Sequence, residues 1–179
     1  MENPKLKFLN KATNETKVSL GMGALVIKDY RIQFENCKTQ KPALPLEEQE
    51  ILLELRADCG LWSCPGGGLI PGENIEECVK REVKEETNID IIVDNLFSVY
   101  SDPKIGCVRH YLEDDFPQQI IDILLIGLPI STKIKKSEES LDVKFFKLDD
   151  IPDNLTPIME IAIKDYQASY RLNGKPILR

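Results

Sequence analysis

No run of about 18 apolar residues occurs in this sequence, so no membrane-spanning helix is expected. Nor does any N-terminal stretch join a basic region to an apolar run of signal-peptide length, so a secreted protein is not expected. Cysteine is sparse and unpaired in pattern. Cys37, Cys59, Cys64, Cys78 and Cys107 are odd in number and form no pair of CxxC knuckles, and they read as reduced thiols of a cytosolic protein. Histidine is reduced to one, His110, which reads as a loop residue or part of a substrate wall and not as a catalytic base. Positive charge is in deficit: 23 Lys and Arg face 30 Asp and Glu, a net charge of −7 and a pI near 4.9. Such a field repels polyanions, so no nucleic-acid partner is expected, whereas a small anion bridged by a metal remains compatible. A soluble cytoplasmic protein with a small-molecule partner fits these absences.

What is there suffices for one domain. A chain of 179 residues buries a layered core without disulfides or a structural metal. Residues 1–17 are polar and mixed in charge, and read as a frayed arm or short helix ahead of a domain over 18–179. Val18 to Lys28, VSLGMGALVIK, is apolar and β-branched enough for a buried strand, with a second strand expected over Arg31 to Phe34. Pro42 and Pro45 mark a loop from Asn36 to Glu48. Strands follow at Glu50 to Arg56, Ile91 to Ser101, Gln119 to Leu128 and Val143 to Leu148. A central helix is expected from Glu73 to Thr87. A terminal amphipathic helix is expected from Thr156 to Tyr170, capped by Thr156 with Pro157 in its first position. The fold class is therefore α/β (α+β): an α/β/α sandwich around a mixed central sheet. Trp62 reads as a core or sheet-end aromatic.

Cys64 to Ile89, CPGGGLIPGENIEECVKREVKEETNI, carries the chemistry. Gly66, Gly67 and Gly68 form a loop whose backbone can approach a ligand closely. On the helix after it, at about 100° per residue, Ile75, Cys78, Val79 and Val83 fall on one arc, the expected core stripe. Glu82, Glu85 and Glu86 extend that arc, while Glu76, Glu77, Lys80 and Lys84 make a solvated face. Clustered carboxylates partly removed from water need protons or a cation. A hard divalent ion answers that need, Mg²⁺ first and Mn²⁺ as a substitute. Arg81 can pair with Glu85 at i+4 and hold a neighbouring carboxylate.

Gly67, five residues, Glu73, seven residues, and then Arg81-Glu82-Val83-Lys84-Glu85-Glu86-Thr87-Asn88-Ile89 resembles the Nudix box. The box spans 23 positions, and the order of strands and helices is similar to the Nudix fold across most of the chain.

That resemblance implies a Nudix-like α/β/α sandwich and a hydrolase acting on a nucleoside diphosphate linked to another group. It implies Glu82, Glu85 and Glu86 as metal-binding or water-activating residues oriented by Arg81, with Glu73 supporting the loop and the Gly67 carbonyl as a further ligand. It also implies a carboxylate from a loop before a late strand, for which Glu139 is the candidate and Glu138 its rival. A homodimer is the assembly that the family suggests. Asn88 replaces the usual glycine and Ile70 a frequent acidic residue; asparagine tolerates the left-handed angles a helix end requires. SVYSDP at Ser98 to Pro103, followed by SEESLDVKFF, is similar to members near the ADP-ribose pyrophosphatases. The alternatives are a nucleoside triphosphate pyrophosphohydrolase and a non-catalytic nucleotide sensor. The sensor is disfavoured because Arg81, Glu82, Glu85 and Glu86 are all kept.

Overall fold

The computed structural model describes residues 4–28, 45–170 and 175–179. Within them lie strands β1 (Leu6–Leu9), β2 (Lys17–Lys28), β3 (Glu50–Arg56), β4 (Trp62–Ser63), β5 (Gly66–Gly68), β6 (Ile91–Tyr100), β7 (Val108–Tyr111), β8 (Gln118–Pro129), β9 (Ser140–Lys147) and β10 (Ile177–Leu178). Two α-helices accompany them, α1 (Ile75–Thr87) and α2 (Pro157–Asp165), the latter running on as a π-helical turn to Tyr170. The sheet is mixed. β2 lies parallel to β8 but antiparallel to β3 and β5, and β8 is antiparallel to β6 and β7.

The central strands alternate between two cores, as their period of two requires. Leu25, Ile27, Ile51, Leu53, Leu124 and Ile126 point to one face, where Ile158, Met159, Ala162 and Ile163 of α2 cover them. Met22, Ala24, Val26, Leu52 and Leu125 point to the other, beneath Cys78, Val79 and Val83 of α1. An α-helix thus lies over each face of a mixed sheet, the three-layer α/β/α arrangement expected. Trp62 is a core aromatic, edge-on to Phe146. Thr156 caps α2 by accepting from the Met159 amide, with Pro157 in the first turn.

Several elements differ from the sequence expectation. Residues 6–9 are a strand and not a frayed arm or helix: β1 pairs with β7, Leu6 opposite Tyr111, and Leu6 is buried. The glycine segment expected as a loop is strand β5, in register with β2 as Gly66 opposite Gly23 and Gly68 opposite Gly21. Glycine is the residue that allows it, because a Cβ on Gly66 would collide with the Met22 carbonyl oxygen. Ile75 is not on the core stripe; as the first helical residue it is 40% exposed. The strand expected over Arg31–Phe34, most of the Asn36–Glu48 loop and Cys37 lie outside the described residues.

Candidate active site

α1 begins at a capping box. The Asn74 side chain accepts from the Glu77 amide at 3.0 Å, and Glu77 accepts from the Asn74 amide at 2.9 Å, so two free N–H groups of the first turn are satisfied. It ends on Asn88, whose φ of 62° is the left-handed angle that asparagine tolerates. The helix is hung beside β5 by side chain to backbone bonds. Gly66 N–H donates to Glu86 Oε2 at 2.7 Å, and Arg81 Nη2 donates to the Gly68 carbonyl at 3.1 Å.

Arg81 organises the acidic residues around it. It grips Glu73 with Nε at 2.5 Å and Nη2 at 3.0 Å, while Nη1 reaches Glu82 at 2.7 Å and Glu85 at 3.2 Å. The fork explains Glu73 as well: held down to about 2 by the Arg81 guanidinium, it stays charged and also receives the Ile70 amide at 3.0 Å. Glu73 therefore fastens the loop to the helix.

The three helical glutamates do not share one environment. Glu86 is buried beside Glu54, and burial with that neighbouring charge pushes it up to about 9 despite the Gly66 amide. Burial also raises Glu82, against the Arg81 pull and with repulsion from Glu85 and Glu139. Glu85 departs from expectation: its side chain is 61% exposed, on the margin of the arc that runs through Val79, Val83 and Glu86. Among the described residues no three acidic side chains already converge as a coordination shell, since Arg81 engages Glu82 and the Gly66 amide engages Glu86. The donor set is nevertheless all oxygen, and one guanidinium shared among Glu73, Glu82 and Glu85 offsets its mutual repulsion only in part, which leaves a role for a hard divalent cation.

Glu139 arrives by a route that spacing alone does not show. The last turn of α1 leaves carbonyls without helical partners. Two are taken by the following loop: Lys135 N–H donates to the Thr87 carbonyl at 3.0 Å, and Ser137 N–H to the Glu86 carbonyl at 3.2 Å. On the far side the Ala57 amide donates to the Glu139 carbonyl at 2.9 Å. Glu139 is thus clamped between α1 and β3 and faces the same cleft as Arg81, Glu82, Glu85, Glu86 and Gly66 to Gly68. Glu138 does not line that cleft.

The cleft encloses about 580 Å³, the range of small-molecule sites. Its composition shows what sequence reasoning overlooked. Glu54, which does not itself line the cleft but whose charge acts on Glu86, is 1% exposed, accepts from the Ser140 hydroxyl at 2.7 Å and is raised by burial. A glutamate in the middle of the apolar run EILLELR was the available signal. Arg56, Arg109, Asp122 and the β1–β7 edge do line the cleft, and nothing local in the sequence marked them.

Comparisons with known proteins agree with this geometry. The family model of the NUDIX domain matches residues 42–166. The chain is 35% identical over 142 residues to an ADP-ribose pyrophosphatase of Methanocaldococcus jannaschii, covering 78% of each chain. It is 42% identical over 64 residues to a provisionally named 8-oxo-dGTP diphosphatase of Bacillus subtilis, covering 36% of this chain and 43% of that one. A solved NUDIX hydrolase of Nitrosomonas europaea superposes with a TM-score of 0.63 at 21% identity, over 92% of this chain and 77% of that one. Box, layered fold and a family match over most of the sequence converge, and the chain belongs to the Nudix family, hydrolases of diphosphate linkages in nucleotide derivatives.

Proposed function

We propose that the substrate is a nucleoside diphosphate joined to a sugar, of the ADP-ribose type, and that the metal is Mg²⁺. One observation carries the substrate reading. The similarity to the ADP-ribose pyrophosphatase extends over 142 residues, well beyond the box that every catalytic member needs. Selectivity belongs to the walls outside the box, so likeness there is the informative kind. Mg²⁺ is favoured by the all-oxygen donor set.

Glu82, Glu85 and Glu86, with the Gly67 carbonyl, would hold the cation. What the cation supplies is charge neutralisation at the diphosphate and easier deprotonation of water. Arg81 keeps Glu82 and Glu85 on the cleft side while its other edge is locked to Glu73. Glu139 has no side-chain hydrogen bond among the described residues, and it is the carboxylate available to take the proton of the attacking water. Gly66 to Gly68 let the backbone lie against the substrate.

A second reading, a nucleoside triphosphate pyrophosphohydrolase, draws on the 64-residue similarity to the Bacillus subtilis protein. The deciding experiment incubates the protein with ADP-ribose, other nucleotide sugars and nucleoside triphosphates, each with Mg²⁺ and with chelator. AMP with ribose 5-phosphate is the expected product pair. Nucleoside monophosphate with pyrophosphate instead establishes the second reading. A Glu85→Gln control should lose at least about 100-fold in kcat with little change in melting temperature, because this side chain is exposed.

A further inference from the structure

Arg109 and Asp122 form an ion pair in the wall of the cleft, away from the box. Arg109 Nη2 donates to Asp122 Oδ2 at 2.5 Å. The two side chains retain 18% and 9% exposure, so they are withdrawn from bulk water yet open to the cleft they line. The pair is incompletely used. Arg109 Nε is buried without a partner, and no hydrogen bond among the described residues reaches Asp122 Oδ1. Beside Oδ1 the opposite strand carries Gly21, where a Cβ would stand 2.9 Å from that oxygen. The Ile120 side chain stands equally near, 2.8 Å from that Cβ position, so the glycine lets Asp122 and Ile120 pack against this strand.

The neighbouring edge of the sheet contributes apolar and aromatic side chains. In the β1–β7 ladder Leu6 opposes Tyr111 and Phe8 opposes Arg109, so these four side chains project from one face of that edge, and all four line the cleft. Gly68, Gly21 and Asp122 sit side by side on three neighbouring strands. At the usual spacing between strands this puts the pair roughly 10 Å from the box, about the reach from a diphosphate to the far end of a nucleoside.

An arginine whose charge is already met by an aspartate is a poor anchor for a phosphate. Its Nε is enclosed, but Nη1 has no hydrogen-bond partner among the described residues and remains a donor beside a spare acceptor, with two aromatic rings lining the same cleft. We infer that the Arg109–Asp122 pair recognises the nucleobase of the substrate. Arg109 would donate to a ring nitrogen or carbonyl on the base edge, and Asp122 would accept from an amino or imino N–H next to it, with Phe8 and Tyr111 flanking the ring. This rests on the cleft being the nucleotide site of the proposed function, and it adds a residue-level basis for selecting the base.

The test is binding, which does not require turnover. The full chain with Mg²⁺ is titrated calorimetrically with AMP, GMP, CMP and UMP, and separately with inorganic pyrophosphate. The unaltered protein should prefer one base. Asp122→Asn should weaken that nucleotide about tenfold or more and narrow the spread among the four, with pyrophosphate affinity retained. Since breaking a buried pair from one side can unfold the protein, the double variant Arg109→Met/Asp122→Leu, which removes both charges together, is measured as well. Folded and pyrophosphate-binding but indifferent to the base is the expected result. Unchanged base preference in either folded variant overturns the inference, as does an equal loss of pyrophosphate and nucleotide, or no base preference in the unaltered protein. If the substrate panel stays silent while base-dependent binding is seen and lost in the variants, the proposed activity fails and this inference stands.

Discussion

The Glu82 carboxylate rests directly on the Cα of Gly67: a methyl group placed there would stand 2.5 Å from Oε1 and 2.7 Å from Oε2. The contact joins strand β5 to helix α1 at the place where the substrate diphosphate is proposed to lie.

Gly67→Ala therefore separates folding from chemistry. Its clash is with the end of a flexible side chain, and the residue has no positive φ, so the stability loss should be about 1 kcal/mol or less. The carboxylate, however, must move, and displacement of a catalytic group by about 1 Å is worth on the order of 100-fold in rate. The expected outcome is a variant with a near-normal thermal melt and kcat/KM reduced about 100-fold. Full activity would show that the position of Glu82 does not matter to the reaction.

Glu86 predicts a pH dependence of stability in the metal-free protein. Its folded-state pKa is pushed up to about 9, chiefly by burial and then by Glu54, from an ordinary value of 4.5. Between those limits the unfolded chain binds fewer protons than the folded one, so stability falls as pH rises from about 4.5 towards 9. Glu86→Gln keeps an acceptor for the Gly66 amide and has no charge to bury. In chelator it should be more stable than the unaltered protein at about pH 8, by on the order of 1–2 kcal/mol of unfolding free energy, and should lose much of the alkaline decline. Identical pH profiles for the two proteins would refute this account of the buried carboxylate.

The parts of the site legible in the sequence were those specified within a few turns of chain. The solvated face of α1, the left-handed Asn88 and the acidic series after the glycines all depend on residues a short distance apart, and local spacing carries that information. Glu54, the β1–β7 wall and the Arg109–Asp122 pair depend on strand pairing. Leu6 meets Tyr111, and Glu54 meets Ser140, from far apart in the chain, and no local pattern specifies such a register. The strand character of Gly66 to Gly68 was hidden for another reason. Glycine is depleted in strands, and here the Met22 carbonyl requires it at Gly66, while at Gly67 it leaves room for the Glu82 carboxylate.

Glu139 and Glu138 are neighbours of the same chemistry, and sequence alone leaves them as rivals. The structure separates them by location. Backbone bonds from Ser137 to the end of α1 and from Ala57 to the Glu139 carbonyl fix the loop so that Glu139 faces the cleft, close enough for its charge to raise both Glu82 and Glu54. If Glu139 takes the proton from the attacking water, Glu139→Gln keeps the shape and removes the base, and kcat should fall about 100-fold or more. Binding of a nucleotide product in the presence of Mg²⁺ should persist, because loss of the base acts on the chemical step. Glu138→Gln should leave kcat unchanged. Steady-state kinetics of the two variants side by side decide the assignment: equal effects, or a larger loss at Glu138, would remove Glu139 from the proton-accepting role.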